Sequence, residues 1–132
     1  MQSKGTISNT PATGDTIQLA RVPVDATLVS LRIGNDDMGT DAPGNIGFYQ
    51  VGSPGTVIDL DALATLVVFE TATAVTEYRY EIQPIESISE KMWELASLSA
   101  RPDYPQVDIV LTWGTIDTAQ AGDISWYIEY TL

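Results

Sequence analysis

The chain contains no cysteine and no histidine. The first absence excludes disulfides, thiolate metal sites and a cysteine nucleophile. The second removes the commonest general base at neutral pH and the commonest transition-metal ligand. Serine–histidine and cysteine–histidine mechanisms go with them, so any catalysis would have to run on carboxylates alone. Basic residues are scarce: 6 Lys and Arg stand against 18 Asp and Glu, a formal net charge of −12. Bulk nucleic acid and anionic membranes repel such a chain. Plain solubility accounts for this acidity, and so does docking on a basic surface. Long apolar runs are missing as well; the longest, Leu66-Val67-Val68-Phe69, is far too short to span a bilayer. The first residues lack the apolar stretch of a secretory signal. No glycine-rich phosphate loop and no basic patch interleaved with aromatics is present.

What the chain does have is 132 residues, 44% of them hydrophobic, enough for one domain with a self-sufficient core. Residues 1–14 read as a flexible polar arm, with Lys4 its only basic residue and Ile7 its only large aliphatic after Met1. Residues 15–132 read as a single β-sandwich domain. Apolar and polar residues alternate with period two over 16–22, 26–34, 45–51, 77–82, 107–115 and 123–131, the mark of half-buried strands. In the first, Ile17, Leu19 and Arg21 are expected on one side and Gln18, Ala20 and Val22 on the other. In the second, Val29, Leu31 and Ile33 oppose Ser30 and Arg32. These two segments are expected to form a hairpin about Pro23-Val24-Asp25. The strand 107–115 carries only Asp108 as a charge and is expected to be central.

Two short helices are expected. Asp59 would cap the first, with Leu60, Leu63, Ala64 and Val67 at helical spacing, although 67–69 also suits a strand. The second, 88–98, follows a capping box at Ser87 and Glu90. Strands at this spacing, separated by Gly/Pro turns, suggest an all-β, jelly-roll-like antiparallel sandwich.

Four groups of residues bear on function. Asp36, Asp37 and Asp41, beside Asn35, supply oxygen ligands in a Gly-containing loop, but the spacing is not that of an EF-hand and no bidentate Glu closes it. The expectation is no metal and no cofactor, and Asp59 and Asp61 are better placed at a helix N-terminus. With so many acids, some carboxylate pair meets by chance, and none sits in a glycosidase motif; the expectation is not an enzyme. Trp93, Trp113, Trp126, Tyr49, Tyr78 and Tyr80 have the makings of a sugar platform. Trp113 and Trp126 run in phase with Ile109, Leu111, Ile124 and Ile128, however, which core packing explains more simply. Arg21, Arg32 and Arg79 lie within strands, where an acid on the neighbouring strand is the expected partner; pairing across a subunit interface in an oligomer is the second reading.

The run Gly14-Asp15-Thr16-Ile17-Gln18-Leu19-Ala20-Arg21-Val22-Pro23, followed by Ala26, resembles the opening of small proteins encoded among phage head genes. So do the strand Asn45-Ile46-Gly47-Phe48-Tyr49, the turn Asp59-Leu60-Asp61-Ala62-Leu63-Ala64, the segment Met92-Trp93-Glu94-Leu95 and the closing stretch 121–124. The resemblance covers about residues 14–131. It implies a tailed-bacteriophage capsid decoration, or cement, protein of jelly-roll type. Such a protein is made in the host cytoplasm and sits on the outer surface of the virion capsid against the major capsid protein, commonly as a homotrimer. The family has no catalytic residues to carry over. Lys4, Thr6 and Ile7 in the arm are then the candidate capsid contacts. Tyr78, Tyr80 and Tyr127 are candidates for a subunit interface, because a single sandwich buries only one face of each sheet. A carbohydrate-binding module of a phage fibre or secreted enzyme is the alternative, and a row of exposed Trp side chains would favour it.

Overall fold

The computed structural model describes residues 2–7, 12–40, 43–69, 73–77, 89–114, 118–119 and 121–132; for 2–7, 40, 65–66, 68, 73–76 and 118–119 it describes the backbone alone. The elements in chain order are β1 (Gln2–Ile7), β2 (Thr16–Pro23), β3 (Thr27–Asn35), β4 (Gly39–Thr40), β5 (Pro43–Gln50), β6 (Val57–Val68), β7 (Thr73–Glu77), α1 (Met92–Leu95), β8 (Gln106–Trp113), β9 (Thr118–Ala119) and β10 (Gly122–Thr131). Sheet A has the order β1-β10-β3-β7 and sheet B the order β2-β8-β5-β6, with β4 and β9 as a small separate pair. All pairings are antiparallel. Successive long strands switch sheet, except β5 and β6, so last and first strands pair at the centre and edge of sheet A. This is the double Greek key of a jelly roll.

The core lies between the sheets. Leu31, Ile33, Ile124 and Ile128 come from sheet A, and Ile46, Phe48, Ile109 and Leu111 from sheet B. Phe69 meets Trp113 edge to face at 5.0 Å between ring centres, a favoured aromatic geometry. Strand β8 lies between β2 and β5, as its lack of charge implied.

Several expectations require correction, and the first three share a cause. In β2 the register to β8 slips between Gln18 and Ala20, so Leu19 is an extra, bulged residue. Beyond the bulge the phase reverses: Arg21 stands opposite Asp108, while Ala20 and Val22 join Ile17 and Leu19 in or against the core. In β3 the pairing passes from Ser30 to Leu28, skipping Val29. Leu28 therefore enters the core, and Val29 is only half-buried. Residues 59–67 are strand, not helix. Ile46 pairs with Ala64 and Phe48 with Asp59, so β6 carries extra residues between those points. The bulge turns the adjacent Leu63 and Ala64 inward together, which imitates helical spacing. Gly47 makes room for it: a Cβ there would lie 2.0 Å from the Asp59 carbonyl oxygen.

The fourth concerns β2 and β3, which form no hairpin and lie in different sheets. The turn at 24–26 arches between them. Its backbone groups bond to the α1 region instead: Met92 N–H to Ala26 O at 2.9 Å, Trp93 N–H to Val24 O at 3.2 Å and Val24 N–H to Pro105 O at 3.0 Å. Val24 and Ala26 are fully buried beneath this cover. The helix itself is shorter than expected, and its start is capped by Glu94, whose carboxylate accepts the Lys91 N–H at 2.7 Å. Ser87 lies outside the described residues.

The polar arm also differs from expectation. Gln2–Ile7 form β1, the edge strand of sheet A, in unbroken register with β10. Backbone hydrogen bonding needs no apolar side chains, so a polar sequence is no bar to an edge strand.

Candidate functional site

Among the described residues, no group of three or more His, Cys, Asp or Glu side chains has the disposition of a metal site. Asp36 and Asp37 instead organise their own loop. Asp36 Oδ2 accepts the Asp123 N–H at 3.0 Å, and Asp37 Oδ1 accepts the Gly39 N–H at 2.9 Å. Asp41 lies outside the described residues.

The strand arginines find the cross-strand acids expected of them. Arg21 and Asp108 are directly opposed in β2 and β8. Asp108 is buried on the outer side of sheet B and accepts from Arg21 Nε at 2.8 Å, Arg21 Nη2 at 3.1 Å, Gln18 Nε2 at 3.3 Å and the Gly52 N–H at 3.3 Å. The carboxylate raises the Arg21 guanidinium further above its ordinary value, chiefly through that hydrogen bond. Arg32 and Glu77 are likewise opposed in β3 and β7, with Arg32 Nε 3.1 Å from the carboxylate. Glu77 also takes the Leu31 N–H at 2.9 Å and the Ser30 hydroxyl. Arg79 lies outside the described residues. A pairing not foreseen joins Arg101 to Asp25 in the turn after β2, at 2.7 Å; the hydrogen bonds from Arg101 hold the Asp25 carboxyl below its usual range.

Of the candidate contact residues, Lys4, Thr6 and Ile7 occupy β1 opposite Ser125, Asp123 and Gly122. Tyr78 and Tyr80 lie outside the described residues. Tyr127 alternates with the buried Trp126 and Ile128, which places it on the outer face of sheet A beside β1. Its ring lies 5.5 Å from the Arg32 guanidinium carbon, and its hydroxyl donates to Glu129 at 3.0 Å. That hydrogen bond is the main reason its hydroxyl ionises above the usual tyrosine value. The tyrosine is thus engaged within its own chain.

The tryptophans supply no platform. Trp113 and Trp126 are buried, and Trp93 is half-buried against the core. Tyr49 is buried too, its hydroxyl 2.7 Å from that of Thr112.

Sequence reasoning missed the distribution of charge over the folded molecule. Among the described residues, Gly14 N–H to Trp113 O, Met38 N–H to Phe69 O, Gly114 N–H to Pro43 O and Asp36 N–H to Asp123 O tie backbone segments together at one end of the sandwich, which bears Asp15, Asp36, Asp37 and Asp123. The opposite end, with α1, carries Lys91 and Arg101 beside Asp25 and Glu94. The acids were visible in the sequence, but only the topology brings these four to one end.

No protein-family model matches this chain, and no curated protein matches it in sequence. Two solved structures are similar to it in fold. A chain from the capsid of Ralstonia phage GP4 aligns with 99% of this chain and 84% of its own length, at a TM-score of 0.59 and 16% identity. A chain from the cyanophage Pam1 capsid asymmetric unit aligns with 99% of this chain and 81% of its own, at a TM-score of 0.50 and 14% identity. At these identities the likeness is one of architecture: this jelly roll, nearly from end to end, has the fold of chains found in two phage capsids.

Proposed function

We propose that this chain is a structural virion protein of a tailed phage, one that binds the outer surface of the capsid and stabilises it. The observation that carries the reading is the near-complete fold likeness to chains of two phage capsid structures. Jelly rolls also serve as lectins and cupins, so the surface has to support the choice. It does so in two ways. The three tryptophans are buried or half-buried against the core, so they form no exposed row for stacking sugars. The net charge of −12, with Asp15, Asp36, Asp37 and Asp123 at one end of the sandwich, suits basic patches on a shell of major capsid protein. The reading makes the chain a non-catalytic component, and a cyclic homotrimer would match a threefold axis of the shell.

Co-sedimentation with undecorated capsids tests it. The protein is expected to pellet with shells and to raise their melting temperature, with binding that weakens as salt screens the charges. Failure to bind shells, together with pelleting on an insoluble polysaccharide, would replace this reading with the carbohydrate-binding one.

A further inference from the structure

Strand β1 has little apolar material with which to hold its place. Its sequence, Gln2-Ser3-Lys4-Gly5-Thr6-Ile7, contains one large aliphatic residue. In the register with β10, Ser3 stands opposite Trp126 and Gly5 opposite Ile124, and both of these β10 residues are buried. The positions of β1 in phase with the core therefore hold a serine and a glycine, where β8 has Val107, Ile109, Leu111 and Trp113. A glycine inside a strand weakens it further. Within sheet A, β1 has β10 as its one neighbour. Strand β10, by contrast, pairs with β3 along its other side from Ile124 to Thr131, and its Ile124, Trp126 and Ile128 belong to the core cluster.

The chain ahead of β2 is fastened at residues 12–15. Asp15 Oδ2 accepts the Ala12 N–H at 2.8 Å, and the Asp15 N–H returns to Ala12 O at 3.0 Å. Gly14 N–H bonds to Trp113 O and Trp113 N–H to Asp15 O, each at 2.9 Å. Gly14, at φ +87°, permits the turn. Between this clasp and β1 the sequence is Ser8-Asn9-Thr10-Pro11, with no large apolar residue.

We propose that β1 is a releasable strap: it opens from β10 while the rest of the sandwich stays folded, and the edge it bares takes up an extended basic segment of the shell protein. Opening exchanges backbone hydrogen bonds for bonds to water and restores chain entropy, with little apolar burial to oppose it. The clasp at 12–15 stops the opening short of β2. Strand β10 stays in place through β3 and the core. From Gly122 to Tyr127 it then presents unpaired N–H and C=O groups, a template for strand addition. The chemistry of the occupant follows from what β1 and β10 carry. Strand β10 holds Asp123 and Glu129 and no basic residue, in a chain of net charge −12, so a basic strand is favoured over an acidic one. Small residues are needed opposite Trp126 and Ile124, as in β1 itself. The partner, though not the opening, rests on the capsid reading.

NMR-detected hydrogen exchange on the full chain tests the opening. The amides of β1, and those of β10 that donate to it, are expected to exchange at least about tenfold faster than the β10 amides that donate to β3. Equal rates on the two sides of β10 would overturn the strap. Because the chain has no cysteine of its own, Lys4→Cys with Ser125→Cys, at directly opposed positions, provides a reversible lock, and Thr6→Cys with Asp123→Cys a second one. Oxidised, each variant should lose the fast exchange of β1 and bind undecorated capsids at least about tenfold more weakly than its own reduced form. A locked variant that pellets with capsids as well as its reduced form would overturn the use of the bared edge in docking. A parent chain that opens but ignores capsids removes the capsid reading and leaves the strap.

Discussion

The indole N–H of Trp126, in sheet A, donates to the carbonyl oxygen of Leu19, in sheet B, at 2.9 Å. Leu19 is the bulged residue of β2 and has no directly opposed partner on β8. A bulge interrupts the ladder and leaves backbone groups to be satisfied elsewhere. Here a tryptophan from the facing sheet does so inside the core.

This contact gives the first prediction. Trp126→Phe removes the donor while keeping an aromatic ring in place. The cost should be about 1–3 kcal/mol, that of leaving a buried carbonyl unsatisfied, plus a smaller packing loss. Urea unfolding followed by circular dichroism measures it. A midpoint equal to that of the parent would show that the carbonyl has another partner.

A second prediction concerns two glycines needed for different reasons. At Gly47 a Cβ would meet the backbone of β6 at 2.0–2.4 Å, a contact neither strand can relieve by rotating a side chain. Gly47→Ala should cost about 3 kcal/mol or more, at or beyond the upper end of overpacking penalties. Gly14 has φ +87° and open space around its Cβ position. Gly14→Ala should therefore cost only the conformational penalty of about 1–2 kcal/mol. Equal losses of melting temperature in the two variants would contradict the close approach of β6 over β5.

The third prediction compares two arginines. Arg21→Ala leaves Asp108, which is 1% exposed, without its counter-ion, whereas Arg101→Ala leaves Asp25 half in water. The first substitution should be clearly the more destabilising, since an unpaired charge costs far more when buried. The Arg101 effect should also depend on pH. The folded-state pKa of Asp25 is depressed, so its contribution is present above the ordinary aspartate value and is lost as pH falls through the folded value. The stability gap between parent and Arg101→Ala should thus be fully open at neutral pH and close as pH falls below the ordinary aspartate value of about 4. Chemical denaturation across that range checks it, and a gap that widens on acidification would contradict the pairing.

By itself the sequence determined the all-β class, most strand positions, the central place of β8, and the burial of Trp113 and Trp126. All of these follow from local alternation of apolar and polar residues, which needs no knowledge of partners. It also determined the acidity and the expectation that Arg21 and Arg32 pair with acids on neighbouring strands; that these acids are Asp108 and Glu77 was decided by the register. Only the tertiary structure decided the rest. Whether 16–22 and 26–34 form a hairpin or arch between sheets depends on the α1 region taking up the hydrogen bonds of the turn, a contact distant in sequence. The bulges at Leu19, at Val29 and between Asp59 and Ala64 are visible only against the partner strand, since an extra residue is extra only in a register. Each inverts or obscures period two, and each coincides with a misread segment. The meeting of Asp15, Asp36, Asp37 and Asp123 at one end of the sandwich is likewise a product of topology.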